Sequence, residues 1–414
     1  MVEDKVYDSF TGLLNGSQVH TLSDNFLIAE VQAKTCALLK DSEDIYVLHD
    51  PCDIRKPSCF EMEAIGKVMS LDKRVVNGYK TFNSVAIDLH KQGVHLLCHQ
   101  TYSNEVVNFI SQEEIRTKTY PIEKQALVDK KTYINGHILY KEKVKESSTI
   151  LKESNPTAHI SHISDREFDN NIFFEYIVAQ GDDFITRMKL SRLSNEILPC
   201  FTPKGNISKK IVYQKLIDKT FKNKEIHLID KLVIKGKLYQ NVSCCLEWEA
   251  LIIEGKSYNA VRISLFCEGK ALFQHPMLLL TNKEITNGQQ AKAIYKGYIL
   301  RFKIEVVFKF LKQNLGWESF QVRTFNTIKN LLAIAFFLVG YFKELEEELK
   351  THPLALLLCK LGISKGKVTI FYLLQGLAKL VNFQEVELWK IENNISNEDI
   401  TEFMAKFKKQ IEIL

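Results

Sequence analysis

The chain has 414 residues, of which 45% are hydrophobic and 25% charged, with a net charge of +5 and an isoelectric point near 8.5. That composition excludes a disordered or fibrous chain and a disulfide-stapled miniature, and the length leaves room for two or more domains around a large core. The mild basicity permits a nucleic-acid partner without demanding one.

In chain order, "MVEDKVYDSF" lacks the basic-then-apolar layout of a secretory leader. Residues 15–40 read as a helix ending at "LLKDSED". "IYVLHD" (Ile45–Asp50) is a short β-rich run that stops at an acid, and Pro51 and Pro57 break the loop after it. "SVAIDLHKQGVHLLCHQ" predicts a hairpin turning near Gln92–Gly93. Residues 103–156 are polar and Lys-rich, with a helix predicted over "NEVVNFISQEEI". "AHISHISD" alternates as a strand and again ends on an acid, Asp165. "REFDNNIFFEYIVAQ" then reads as helix and "DDFITRMKLSR" as strand. His159 and His162 alternate with Ile160 and Ile163 and read as structural residues.

From 193 to 284 the texture becomes one of short strands with Gly-Lys turns, the pattern of a β-rich insertion; "PMLLLT" closes it. "ITNGQQAKAIYKGY" leads helically into "YILRFKIEVVFKFLK" (Tyr298–Lys312). "LLAIAFFLVGYF" is too short to span a bilayer and reads as a buried helix. Beyond 345 the pattern is helical, split by Pro353 and Gly362, and ends in an amphipathic stretch at the C-terminus that suits a dimer contact or plain packing. The nine cysteines form no CxxC pair, and Cys244 and Cys245, adjacent on a strand, should face opposite ways. Reduced cysteines in a cytosolic protein follow most simply.

The segment from Tyr298 to Lys312 carries the sharpest pattern. On a helix turning about 100° per residue, Tyr298, Arg301, Glu305 and Lys312 share a wedge of roughly 60°. Leu300, Ile304, Val307, Phe308 and Leu311 form an apolar stripe beside it. Alone, the polar line is a solvated edge with an Arg–Glu pair at i,i+4. Together with the strand-terminal acids Asp50 and Asp165, Glu305 completes a trio of carboxylates. Such a trio suits a pair of hard divalent cations acting at a phosphodiester, with the basic line gripping neighbouring phosphates. Asp53, Asp88, Glu167 and Asp169 are nearby competitors, and a strand-terminal Asp is also a common turn or cap residue.

The pattern Tyr298-x2-Arg301-x3-Glu305-x6-Lys312 resembles the Tyr-Arg-Glu-Lys signature of DDE transposases of the insertion-sequence-four class. "SDREFD" (Ser164–Asp169) resembles that family's Asp-Arg-Glu block, and "YVLHD" resembles the first strand of a ribonuclease-H-like core. The resemblance covers about residues 20–345. It implies an α/β fold: a ribonuclease-H-like mixed sheet flanked by helices, with a β-rich insertion before the Glu-bearing helix and a helical C-terminus. The divisions would be an N-terminal helical remnant (1–44), a core in two parts (45–192 and 285–345), the insertion (193–284) and a helical C-terminal region (346–414).

The resemblance further implies metal-dependent cleavage at inverted-repeat ends and strand transfer into target DNA by cut and paste. Asp50, Asp165 and Glu305 would be the catalytic, metal-binding acids, with Asp53 the alternative to Asp50. Two Mg²⁺ ions, replaceable by Mn²⁺, would be the cofactor. Tyr298, Arg301, Lys312 and Arg166 would contact DNA, and Lys189 and Arg192 lie near enough to join them. The partners would be double-stranded DNA and a second copy of the chain in a synaptic dimer, in the prokaryotic cytoplasm on nucleoid DNA, with no membrane. A degenerate or truncated relative that binds or nicks DNA without mobilising an element is the alternative. Two departures stand out. "HPMLLLT" has no Trp to stack on a flipped base, leaving Trp248 or Trp317. And only about 44 residues precede the first core strand, where the family usually has a larger end-recognition domain.

Overall fold

The computed structural model describes residues 24–401, apart from 91–92, 202–206, 235, 350–352, 362–368, 393–395, 397 and 399–400. The start of the expected N-terminal helix and most of the C-terminal amphipathic stretch lie outside these residues. The chain forms two compact units, Met1–Phe337 and Leu338–Leu414.

The first unit is built on one large sheet. After α1 (Asp24–Leu39) come β1 (Asp44–Arg55), β2 (Gly66–Met69), β3 (Val75–Asp88) and β4 (Val94–Tyr102), then α2 (Gln112–Thr117), α3 (Gln125–Asp129) and α4 (Gly136–Ser154). β5 (His159–Ser164), α5 (Asn171–Ala179) and β6 (Asp183–Arg187) follow. Next come the strands β7 (Leu193–Phe201), β8 (Ile207–Lys215), β9 (Asn223–Ile234), β10 (Lys237–Ile253), β11 (Lys256–Cys267), β12 (Lys270–Ala271) and β13 (Met277–Thr281). The sheet order is β2-β3-β1-β5-β6-β13-β11-β10-β9, with β4 on β3 and β12 on β11. β1, β5 and β6 run parallel and the other pairings are antiparallel. This mixed sheet with flanking helices is the ribonuclease-H-like arrangement that the sequence resemblance implies.

The pattern of β1 follows from its central place. Ile45 to His49 are all buried, because helices cover both faces of the sheet there. On one face α1 and α4 pack Cys36, Leu39 and Leu151 against Ile45, Val47, Leu97 and Ile160. Farther along the same face, Phe168, Phe174, Phe184 and Tyr258 join Leu139 and Val144 of α4. Asn135 caps α4 and Asn170 caps α5, each accepting from a first-turn amide. The strands of the β-rich stretch do not make a sheet of their own. β13 pairs with β6, so β11, β10 and β9 prolong the central sheet, and β7–β8 form a separate hairpin.

Three local expectations fail. β1 does not stop at Asp50: it runs on through Pro51 to Arg55, paired with β3 throughout. "NEVVNFISQEEI" is helical only from Gln112, where Ser111 and Glu114 build a capping box. The residues before it are turns. The Tyr298–Lys312 segment is not one helix: α6 (Gly288–Ile299) ends and α7 (Phe302–Asn314) begins around Leu300 and Arg301. Both residues keep right-handed helical dihedrals, but Arg301, Lys303 and Ile304 bond back three residues instead of four, tightening the turn.

α8 (Phe325–Leu349) runs longer than its apolar core suggests. Among the described residues it is the one helix long and apolar enough, over Phe325–Phe342, to cross a membrane. Ile328, Leu332 and Phe336 on it are buried, and the Trp317 indole donates to the Leu332 carbonyl at 3.2 Å. In the second unit α9 (Pro353–Leu361) packs on α10 (Ile370–Glu392), with Gly376 against the backbone of Leu358, where a β-carbon would sit 1.9 Å from the Leu358 carbonyl oxygen.

Candidate active site

Sheet register places the first two acids. Leu48 on β1 is level with Ile163 on β5, so the parallel strands bring Asp50 and Asp165 to the same height two residues on. Ser164 is level with Thr186 on β6, which puts Arg187 at that height too. Beneath them runs a buried polar chain. His49 Nδ1 meets Ser84 Oγ at 2.8 Å, and His49 Nε2 meets His162 Nδ1 at 2.8 Å. His162 Nε2 lies 3.2 Å from the Asp182 carboxylate, whose other oxygen takes Lys152 at 2.5 Å.

A carboxylate only accepts, and that sets the direction of the whole chain. His162 donates to Asp182, His49 donates to His162, and Ser84 donates to His49. Burial, then the neighbouring His162, pushes the His49 imidazole well below its ordinary range. The histidines are structural, and they tie β1 to β5 directly under the acids.

The helix turn supplies the third acid and the counter-charge. Gly297 lets α6 lie on the sheet: a β-carbon there would come within 2.8 Å of the Tyr46 ring. Tyr298 is buried and donates to Asp165 Oδ1 at 3.2 Å. Burial and the Asp165 charge push its phenol up to about 12, which keeps it a donor. Arg301 is 5% exposed and touches all three acids: Asp50 at 3.1 Å, Asp165 at 3.9 Å and Glu305 at 2.7 Å. Its Nε is buried without a hydrogen-bond partner. Burial opposes the guanidinium charge, but Asp50, Tyr298 and the other acids outweigh it and hold Arg301 above its ordinary value. Asp50 is pushed up to about 7, mainly by burial; Arg301 pulls it down, and Asp165 and Glu305 add to the rise. It is an acid short of positive charge.

The remaining residues divide. Lys312 donates to the Asp53 carbonyl at 2.6 Å and pairs with Glu318 at 3.0 Å, three residues along β1 from Asp50. Asp53 turns its carboxylate to the Met69 amide, at 3.0 Å, on the edge strand β2. Arg192 is engaged by Asp169 at 3.1 Å and by Asn171. Lys189 is exposed, and Arg166 directly follows Asp165. Sequence reasoning missed Arg187, which hydrogen-bonds Tyr298 and helps restrain its phenol; its signal is the final position of β6. It also missed Glu318, the partner of Lys312 and Arg55. Trp248 and Trp317 are both buried core residues.

The donor set of Asp50, Asp165 and Glu305 is all oxygen, which suits a hard divalent cation rather than zinc. Among the described residues no three donor side chains lie close enough to hold an ion, since the acids surround Arg301. A cation thus already stands among them, and the elevated Asp50 marks the charge they lack. The set fits a metal in chemistry, with Arg301 as its present substitute.

The family model described as "Transposase DDE domain" matches residues 116–339, more than half of the chain, a span that holds Asp165, Tyr298, Arg301, Glu305 and Lys312 and starts beyond Asp50. No curated protein matches the chain.

Proposed function

The chain belongs to the transposase DDE-domain family, and from that premise we propose that it is an insertion-sequence transposase of the insertion-sequence-four class. It cleaves DNA at inverted-repeat ends and joins the freed ends to target DNA by cut and paste. The observation that carries this reading is the meeting of Asp50, Asp165 and Glu305 on one guanidinium, with the spacing of Tyr298, Arg301, Glu305 and Lys312 behind it. Residues 193–284 then stand as an insertion between the last parallel strand and the Glu-bearing helix.

Enzymes of this family use divalent metal ions. Asp50, Asp165 and Glu305 are the residues that would hold Mg²⁺ or Mn²⁺, which would lower the pKa of a bound water or hydroxyl and neutralise charge on the leaving oxygen. The chain's own groups do the rest. Tyr298 fixes the orientation of Asp165 through its hydroxyl. Arg301 offers two guanidinium edges, one of which can turn to a DNA phosphate once the acids have other positive charge beside them. Lys312, on the far side of Asp53, extends the basic line along the backbone. Arg187 holds Tyr298 in place.

Two protomers acting in a synaptic dimer would present two such sites to two ends, in the cytoplasm on nucleoid DNA. The test is strand cleavage of labelled duplexes carrying the ends that flank the gene, with purified protein and Mg²⁺. Nicks and hairpins at the repeat boundary are expected. Cleavage by Glu305→Gln at the wild-type rate would overturn the assignment.

A further inference from the structure

The sheet that carries the strand acids ends in an open strand. β9 is its last member on that side and is hydrogen-bonded to β10 alone among the described strands. It is 12 residues long. An edge of that length offers a row of backbone donors and acceptors to a further strand, and proteins commonly blunt such an edge with charge. The charges of β9 are placed in a more particular way. Side chains two apart share a face, so Lys224, Ile226, Leu228 and Asp230 line one face of the strand. The other face lies against the start of α6, where a β-carbon on Gly288 would collide with the Glu225 carboxylate. On the open face Ile226 is 61% exposed and Leu228 73%, with exposed Lys224 and Asp230 at either end of them.

The rows that run across the sheet show what would continue them. Arg262 on β11 is level with Glu247 on β10 and meets it at 2.9 Å, and Glu247 is level with Lys224 on β9. That row alternates positive, negative, positive, so a carboxylate belongs next. Ile226 is level with Cys245, and Leu228 with Ser243 and then Phe266, so apolar side chains belong beyond both. Beyond Asp230 belongs a cation. A strand that presents acid, apolar, apolar and base in that order is β9 itself, read backwards. A two-fold axis at His227 sets a second β9 antiparallel to the first. The partner's Asp230 then falls opposite Lys224 and the partner's Leu228 opposite Ile226, and the axis repeats each pair. A slip of two residues breaks the match, because it sets Asp230 opposite Ile226 or Leu228 opposite Lys224. A slip of one sets the open face of one strand beside the covered face of the other. We propose that β9 pairs with β9 of a second copy of this chain, antiparallel and centred on His227, and joins two central sheets edge to edge. This is a contact surface for the second protomer that the proposed function calls for, and it rests on that reading only for its purpose. The ribbon from Lys224 to Asp230 is short, so the interface belongs to the small, reversible class.

The experiment is sedimentation velocity of the full chain without DNA or metal, at loadings from about 1 to 100 μM, the range over which a small interface changes state. The wild type is expected to pass from monomer to dimer. Asp230→Lys sets lysines opposite each other on both sides of the axis and should raise the dissociation constant at least about tenfold. Lys224→Glu, which sets acids opposite each other, should do the same. An equimolar mixture of these two variants should dimerise again, because each supplies the charge that the other needs. Leu228→Glu puts a carboxylate opposite Ile226, and together with Asp230→Lys it decides the matter if Lys224→Glu fails to fold by circular dichroism. A monomer across the whole range overturns the proposal. So does an Asp230→Lys dimer as tight as the wild type, or a mixture of folded variants that stays monomeric. Cleavage with Mg²⁺ is assayed separately on the same preparations. A dimer that does not cleave sinks the transposase reading alone, and a monomer that cleaves sinks this one alone.

Discussion

The strand pair β1–β5 and the helix pair α6–α7 bring acids to one point by different means. On the strand side, position comes from backbone register and from a buried hydrogen-bonded chain of Ser84, His49, His162 and Asp182. Nothing in that chain competes with a metal or with DNA. On the helix side, Glu305 is half exposed and is held by an ion pair to Arg301, a residue that also answers to Asp50 and Asp165. Metal and phosphate would both compete for those contacts. One wall is preset, and the other is set by charge that a substrate brings.

The largest way to break this contrast is to remove an acid from either wall. Asp50→Asn and Glu305→Gln should each lower strand cleavage by at least about 10²-fold, as removal of a group acting on the transition-state charge does. Binding of uncleaved DNA in EDTA should barely change, because phosphate affinity comes from the Lys and Arg set. Gel assays of cleavage and anisotropy of the same variants check both halves.

Stability should expose the difference next. His162→Leu takes from His49 Nε2 and from one Asp182 oxygen their buried partner, while Ser84 and Lys152 keep the other sides, and should cost about 3 kcal/mol in urea unfolding, within the usual range for orphaned polar groups. Gly297→Ala drives a methyl against Tyr46 and Ile185 and should cost about 1–3 kcal/mol. If the histidine variant unfolds at the wild-type midpoint, the strand wall is not preset by that chain.

A smaller effect should appear with pH. Asp50 holds its proton up to about 7 when folded, against an ordinary value of 3.8. Between those values the folded state binds more protons than the unfolded one. Its stabilising contribution is therefore complete below about 4 and is lost as pH rises towards 7. Urea midpoints in EDTA should fall across that window, and less steeply for Asp50→Asn. The smallest effect belongs to Lys312, whose replacement by Ala should reduce the slope of log affinity against log salt by about one.

Much of this was legible beforehand, and the reasons for the gaps are physical. β1, the β3–β4 hairpin, β5, β6 and β13 carry apolar runs or alternation bounded by breakers, so their identity is local. Asp50 and Asp165 could be picked out because each follows an apolar run, although β1 itself continues past Asp50 to Arg55. Arg187 could not, because its place beside Tyr298 depends on the β5–β6 register and on α6 crossing the sheet. The break at Leu300–Arg301 is invisible to a helical wheel, since both residues stay helical and only the bonding step changes from four to three. The failed helix after Asn104 has cap-type residues ahead of it, but Ser103 takes the Glu105 amide two residues on and Asn104 takes the Lys67 amide on β2, so the first working cap is Ser111. That β9 to β13 extend the central sheet is a long-range pairing, which composition and periodicity do not encode.

The two walls also differ in when they are made. Tyr298 meets Asp165 across 133 residues of chain, and Lys312 meets β1 across 259. During synthesis, at about 5–20 residues per second, the strands bearing Asp50 and Asp165 can pair long before Glu305 exists. The long closures that finish the pocket are the slow ones. A nascent chain therefore pairs β1 with β5 early and lacks the third acid of the proposed site until α7 has been made.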